Sequence, residues 1–405
     1  MIHSFLRRLI VAAISISLSP SLFAAAFQFY ELGTPIIGTA GVGQAAVAMD
    51  ASTSYFNPAG MALLPGSAFL LGSQMLLPYI NFSQSPATTI AGDNGGSAGT
   101  LTPGLDFYYV YRYSPQLQLG ISLTQPYAGL LTYNDGWAGR FYVQTLQLYA
   151  LNLNPAISYK VNDWLALGGG VSVEYANLQE TQALPLTRLI DGQVNLKTDN
   201  FSPGFNLGVM LMPSENTQIG IAFRSQILHH LRGRITFLRL AVTPSASTKL
   251  VMPANVIVSV VQNITNQFSL LGELGWSDWS SMHNTIVDVA GFTATTIRDW
   301  KNTYRVGVAG RYRFTPNFLV QAGASYDSSP TTSSHRLPDL PMDRQIRVGA
   351  GLIYNLIRAV DLGLSYEYMN MGNANINNTS SNGSLVGSYS RNYINVFQVS
   401  LNVNV

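Results

Sequence analysis

The sequence predicts an all-β protein, a 14-stranded antiparallel transmembrane β-barrel with an N-terminal plug, or hatch, in its lumen. Three observations carry this. From residue 67 onward apolar and polar residues alternate with period two, as in a strand with one face in lipid and the other in a polar interior. Short turns and long connections alternate between these strands, the pattern of an outer-membrane barrel. Ahead of the first strand, FQFYELGTPIIGTAGVGQAAVAMDASTSYFNPAGMALLP is rich in Gly and Ala, carries only Glu31 and Asp50 as charges, and does not alternate.

Taken in order, the chain opens with Arg7 and Arg8, an apolar run from 9 to 18, and Ala24-Ala25-Ala26, the layout of a secretory signal over residues 1–26. The run is too short to span a bilayer, and no later apolar stretch reaches the roughly 20 residues of a transmembrane helix. Residues 27–66 form the expected plug, since a closed barrel satisfies its own backbone and leaves the lumen for a compact small-residue segment. Asn57, Pro58 and Ala59 make its closing turn, because Pro fixes φ and keeps the residue before it extended. A flexible linker is the bland alternative, against which stand Phe27, Phe29, Tyr30, Tyr55 and Phe56. Gly41-Val42-Gly43-Gln44-Ala45-Ala46 fits a dinucleotide fingerprint, but no strand leads into it and no βαβ unit follows.

Residues 67–405 are the expected barrel. Leu117, Leu119, Ile121 and Leu123 alternate with Gln118, Gly120, Ser122 and Thr124; Tyr304, Val306 and Val308 oppose Arg305, Gly307 and Ala309. A soluble sandwich alternates too, so the connections decide. Short turns fall at 114–116, 161–163, 213–216, 263–266, 315–317 and 355–359, and longer loops are expected at 83–103, 179–199, 229–249, 328–342 and 370–388. Six short turns separate seven pairs of strands, which gives about 14. Tyr312, Phe314, Tyr354, Tyr366 and Tyr368 are read as an interfacial girdle without chemistry.

Composition excludes several functions. Removing Arg7 and Arg8 leaves 20 Lys and Arg against 20 Asp and Glu, so nothing recruits nucleic acid. Charged residues are 10% of the chain, low for a soluble protein. Cysteine is absent, and none of the five histidines has metal-ligand spacing, so no metal and no cofactor are expected. There is no G-x-S-x-G, H-E-x-x-H or Walker loop, and the chain reads as no enzyme. A lipid hydrolase whose Ser, His and Asn assemble only in space stays open.

Two stretches argue for a function. Around 227–251, Phe237, Leu238 and Leu240 stand among His229, His230, Arg232, Arg234 and Arg239, a mixture suited to a greasy tail with an acid head. The alternative is that two strands simply continue above the bilayer. In Gln125-Pro126-Tyr127-Ala128-Gly129, Pro cannot donate to a ladder and Gly often marks a bulge, so this strand bends and opens the wall, or else ends at the rim.

These residues resemble the FadL/TodX family of outer-membrane long-chain fatty acid and hydrocarbon transporters. The resemblance is strongest in Phe27-Gln28, 38–50, Asn57-Pro58-Ala59-Gly60-Met61, Trp276-Ser277-Asp278-Trp279-Ser280, 300–305 and Gly323 to Pro330. It implies a monomeric plugged barrel in the Gram-negative outer membrane, bordered by lipopolysaccharide. Substrate would enter an outer-loop groove, pass to a pocket bordered by Phe27 and Phe29, and leave sideways at the kink in the third strand. Asp327 would lie on the wall near the plug, where a carboxylate has backbone donors to accept from. The family's basic residues fall here at Asn177 and Thr296; Arg298, on the same strand face as Thr296, is the expected substitute. The chain ends on Val405 where the family has an aromatic, an expected weakening of recognition by the assembly machinery. The expected function is passive uptake of a hydrophobic small molecule, a long-chain fatty acid first, with an aromatic hydrocarbon or a non-selective structural barrel as alternatives.

Overall fold

The computed structural model describes residues 30, 32–186, 191–240 and 242–405. The signal at 1–26, Phe27 and Phe29 lie outside the described residues. None of the described helices is long and apolar enough to cross a membrane; crossing falls to strands.

Fourteen strands close into one antiparallel barrel. We number them β1 (Ala68–Gln84), β2 (Thr102–Arg112), β3 (Leu117–Thr132), β4 (Thr145–Lys160), β5 (Leu165–Pro185) and β6 (Asp191–Ser214). Four strands then come in two pieces each: β7 (Thr217–Arg224, Ile227–Phe237), β8 (Ser245–Met252, Asn255–Asn263), β9 (Phe268–Ser277, Asn284–Val289) and β10 (Phe292–Ile297, Thr303–Thr315). The ring continues with β11 (Phe318–Asp327), β12 (Gln345–Ile357), β13 (Val360–Asn370, Ile376–Ser380) and β14 (Gly383–Asn404). The pieces of β7 share a partner: Asn206 to Ser214 of β6 hold the first, and Val194 to Asp199 hold the second. Closure is by β1 on β14, from Ala68 opposite Asn404 to Gln84 opposite Gly387.

All six expected short turns are present. Three of the expected loops are largely strand instead: β5 and β6 pair to Pro185 and Asp191, β7 reaches Phe237 with β8 beginning at Ser245, and β13 and β14 pair again through Ile376–Ser380. The reason is alternation at the outer end. Leu231, Ile235 and Phe237 are buried inward while His230, Arg232 and Arg234 face out, so the charges that read as loop are the outer face of a wall continued beyond the bilayer.

Outward residues such as Leu119, Ile121, Leu123, Val306 and Val308 are exposed, and Arg305, Arg311, Glu174 and Glu367 are buried inward. Two aromatic belts bound the apolar band. Phe318 contacts Phe314 and Tyr354 at the short-turn end, and Tyr393 contacts Tyr79 and Tyr368 at the other. Phe69 and Tyr79 on β1 are ten residues apart, about 33 Å of strand, which at a tilt of about 45° gives roughly the 25 Å of such a band.

Residues 32–64 fold as short helical turns, Pro35–Thr39, Thr53–Phe56 and Pro58–Leu63. Strands from around the ring hold them. Tyr108 of β2 donates to the Leu32 carbonyl (2.8 Å), Gln398 of β14 to Gly33 (3.0 Å), and Ser158 of β4 to Ala59 (3.2 Å). The approach is backbone to backbone at Gly72 and Gly220, where a Cβ would stand 1.9 Å from the Gly33 oxygen and 1.8 Å from that of Ala45. Only glycine fits there.

Asn57 is fully buried; its Oδ1 accepts from the Ala59 N–H (3.1 Å), while its amide donates to the carbonyls of Ala45 (2.6 Å) and Val209 (3.1 Å). Pro58 supplies the first residue of the following turn, where its missing N–H costs nothing. Asn57→Ala is expected to lower unfolding stability by about 2–3 kcal/mol, one helix cap and two hydrogen bonds. Denaturant melts of refolded protein in detergent check this, and an unchanged midpoint would contradict it.

Candidate functional site: the gap beside β3 and the cavities behind it

Against β4, Thr124 pairs with Asn152 and Tyr127 with Ala150, so Gln125 and Pro126 together face Leu151 alone. This bulge turns β3 away from β2. The β2–β3 ladder stops at Phe107 opposite Leu123, and contact resumes only where Gly99 bridges Leu131. Between those points the two strand edges are unladdered, and each carries a proline, Pro103 and Pro126. One side chain spans the break, with the Gln125 N–H donating to Asp106 Oδ1 (2.9 Å). Gln125, Pro126, Tyr127, Ala128 and Gly129 thus lie along this unladdered stretch.

Two cavities meet β3 from inside. One, small at about 50 Å³, is apolar and includes Leu76, Ile80, Ala128, Leu131, Met342 and Met371. The other, about 30 Å³, lies between Tyr30 and Tyr55, Pro126 and Tyr127 of the kink, and Asn206 and Arg224 of the far wall.

A buried ionic cluster ties residues 30–64 to the opposite wall. Glu273 Oε2 accepts from the N–H groups of Gly43 (2.9 Å) and Gln44 (3.1 Å) and from Ser259 Oγ (2.9 Å). Arg305 donates to Glu273 (3.0 Å), to Asp327 (2.9 Å) and to the Ala40 carbonyl (2.6 Å), with its guanidinium 4.4 Å from the Tyr30 ring centre. Arg347 bonds the same Asp327 oxygen and lies 3.6 Å from Glu367.

Among the described residues, Asp327 accepts from Arg305 and Arg347, and the backbone N–H groups of Gly43 and Gln44 go to Glu273. No motif marked Glu273, although a carboxylate on the small-residue face of a strand was a signal to follow. Arg298 is buried, as is its partner Asp339, to which it donates two bonds (3.3 and 2.7 Å). Its charge is already matched, so it is not a free cation for an acid. Phe237 is buried inside the wall at the end of β7, and Leu238, in the turn Leu238–Leu240, is exposed.

The family described as "Outer membrane protein transport protein (OMPP1/FadL/TodX)" matches residues 15–404. The chain belongs to this family. Within it, the chain is 24% identical over 403 residues to the long-chain fatty acid transport protein of Salmonella typhi, covering 90% of this chain and 92% of that one. The corresponding protein of Escherichia coli K12 is 23% identical over 407 residues, covering 88% and 91%. Among solved structures, a Pseudomonas aeruginosa FadL homologue superposes with TM-score 0.86 at 22% identity, covering 94% of this chain and 100% of that one. The Pseudomonas putida toluene transporter TodX gives 0.69 at 15%, covering 90% and 98%. The protein is thus an outer-membrane transporter of hydrophobic molecules from a family of transport channels, not of enzymes.

Proposed function

We propose that the protein carries long-chain fatty acids passively across the lipopolysaccharide leaflet and releases them sideways into the bilayer through the gap beside β3. Residues 27–66 are the hatch that blocks the axial path, residues 67–405 are the barrel, and residues 1–26 are its export signal. One copy suffices, because a closed barrel has no edge to pair. Leu238 at the outer rim begins the path, together with Leu240 of the same turn. Phe27 and Phe29 border the inner pocket, and Asn57, Pro58 and Ala59 hold the hatch turn.

The observation that carries this reading is the unladdered stretch of β3 with an apolar cavity directly behind it. In a bilayer an open strand edge is costly, and is tolerated where it serves a passage. A greasy molecule leaving there enters lipid without crossing water. The fatty acid assignment draws on the names of the curated relatives.

Cells lacking their own fatty acid transporter and carrying this gene are expected to take up labelled oleate faster than cells with empty vector. Equal rates would overturn the assignment, and uptake of toluene alone would move it to aromatic hydrocarbons.

A further inference from the structure

Among the lumen-facing arginines, Arg298, Arg305 and Arg347 each have a carboxylate within ion-pair distance. Arg224 has none among the described residues. Its Nη2 donates to the Tyr55 carbonyl (2.7 Å) and its guanidinium lies 3.8 Å from the Tyr55 ring centre, but its Nη1 is buried without a partner. Glu174, which shares the surroundings of Tyr127 with Arg224, is occupied by Asn152 (2.9 Å) and His229 (3.1 Å). An unmatched cation in a low-dielectric interior is costly, and is relieved when an anion enters beside it.

Arg224 also faces the cavity that reaches Pro126 and Tyr127, while the next residues of β3, Ala128 to Leu131, line the apolar cavity. From Tyr127 to Leu131 the strand runs about 13 Å. A cation at one end and an apolar lining at the other match the chemistry of an anionic head and a hydrocarbon tail. Arg311 also lacks an ion pair among the described residues, but it lies at the short-turn end beside Asn216, Asn263 and Thr265, away from Pro126 and Tyr127.

We propose that Arg224 is the residue that selects acids: it binds the carboxylate of a long-chain fatty acid beside the hatch, with the tail laid along Ala128 to Leu131 next to the gap. The carboxylate accepts from Nη1 in a charge-assisted hydrogen bond, which a neutral ester or hydrocarbon makes poorly or not at all. This rests on the fatty acid reading above and sharpens it, because the carboxylate-binding positions that the resemblance suggests supply no free cation: Asn177 is uncharged, and Arg298, the substitute for Thr296, is held by Asp339.

The test is equilibrium binding of radiolabelled oleate and of its neutral methyl ester to the full chain in detergent. Arg224→Gln is expected to weaken oleate by about 10- to 100-fold, the worth of a hydrogen bond to a charged group, and to leave the ester unchanged. Arg224→Lys is expected to restore part of the loss, and Arg311→Gln to change neither ligand. Equal oleate affinity in Arg224→Gln and the parent overturns the assignment, as does an equal loss of both ligands, which would make Arg224 a support for Tyr55 and nothing more. If the parent binds neither ligand, the fatty acid reading itself falls, and this proposal with it.

Discussion

Arg305→Gln is expected to lower stability by about 3–5 kcal/mol, because it removes one partner of a buried ion pair and leaves charge uncompensated. Arg305 is 4% exposed, so solvent offers little relief. Without it, Glu273, Asp327 and Glu367 share Arg347 as their remaining arginine within the cluster, and the Ala40 carbonyl and Tyr30 ring lose their cation. Most of the loss is expected in the attachment of residues 30–64, since the ladders of β10 with β9 and β11 are made by backbone. Two measurements check this: a lower denaturant midpoint, and new protease cuts within residues 32–64 while the barrel resists digestion. The double change Arg305→Gln with Asp327→Asn is expected to cost less than the sum of the two, because it also removes the stranded charge. A parent-like midpoint in Arg305→Gln would mean that the cluster contributes little to holding the segment.

Deleting Pro126 is expected to abolish uptake while leaving the protein folded. The bulge puts Gln125 and Pro126 across from one residue, so removing one of them restores one-to-one pairing with β4, and Tyr127 stays opposite Ala150. The inward and outward faces then remain in phase on both sides of the deletion. With the kink gone, β3 is free to extend its ladder to β2 beyond Leu123, each new bond adding about 1 kcal/mol, though Pro103 on the facing edge still has no N–H to give. Oleate uptake by cells carrying the deletion, beside a heat-modifiability check that the barrel forms, reads the outcome. Uptake at the parental rate from a correctly inserted deletion would remove the gap from the transport route.

The barrel was legible because period two is written in each strand separately: Leu119, Ile121 and Leu123 need no knowledge of their partners to face lipid. Turn chemistry then gave the strand number. Loop assignments failed where charge outweighed periodicity, as at His230, Arg232 and Arg234, which alternate with buried Leu231 and Ile235 in a wall that stands above the membrane. The ionic cluster and the Arg224 cavity were not legible for a different reason. Every strand has inward polar residues, and which of them meet depends on stagger around the ring. Arg305 reaches Glu273 across one ladder and Asp327 across the other, and Arg298 finds Asp339 in a connection 41 residues away. Spacing within one strand holds no trace of such partnerships.

The union of β1 with β14 along the whole of β1 also constrains biogenesis. Residues 32–64 are covalently joined to β1, and Gly72 of β1 and Gly220 of β7 lie directly against the backbone of that segment at Gly33 and Ala45. With the hatch placement proposed above, closing the ring and seating this segment become linked steps of assembly, because the strand that seals the cylinder also carries the segment's attachment.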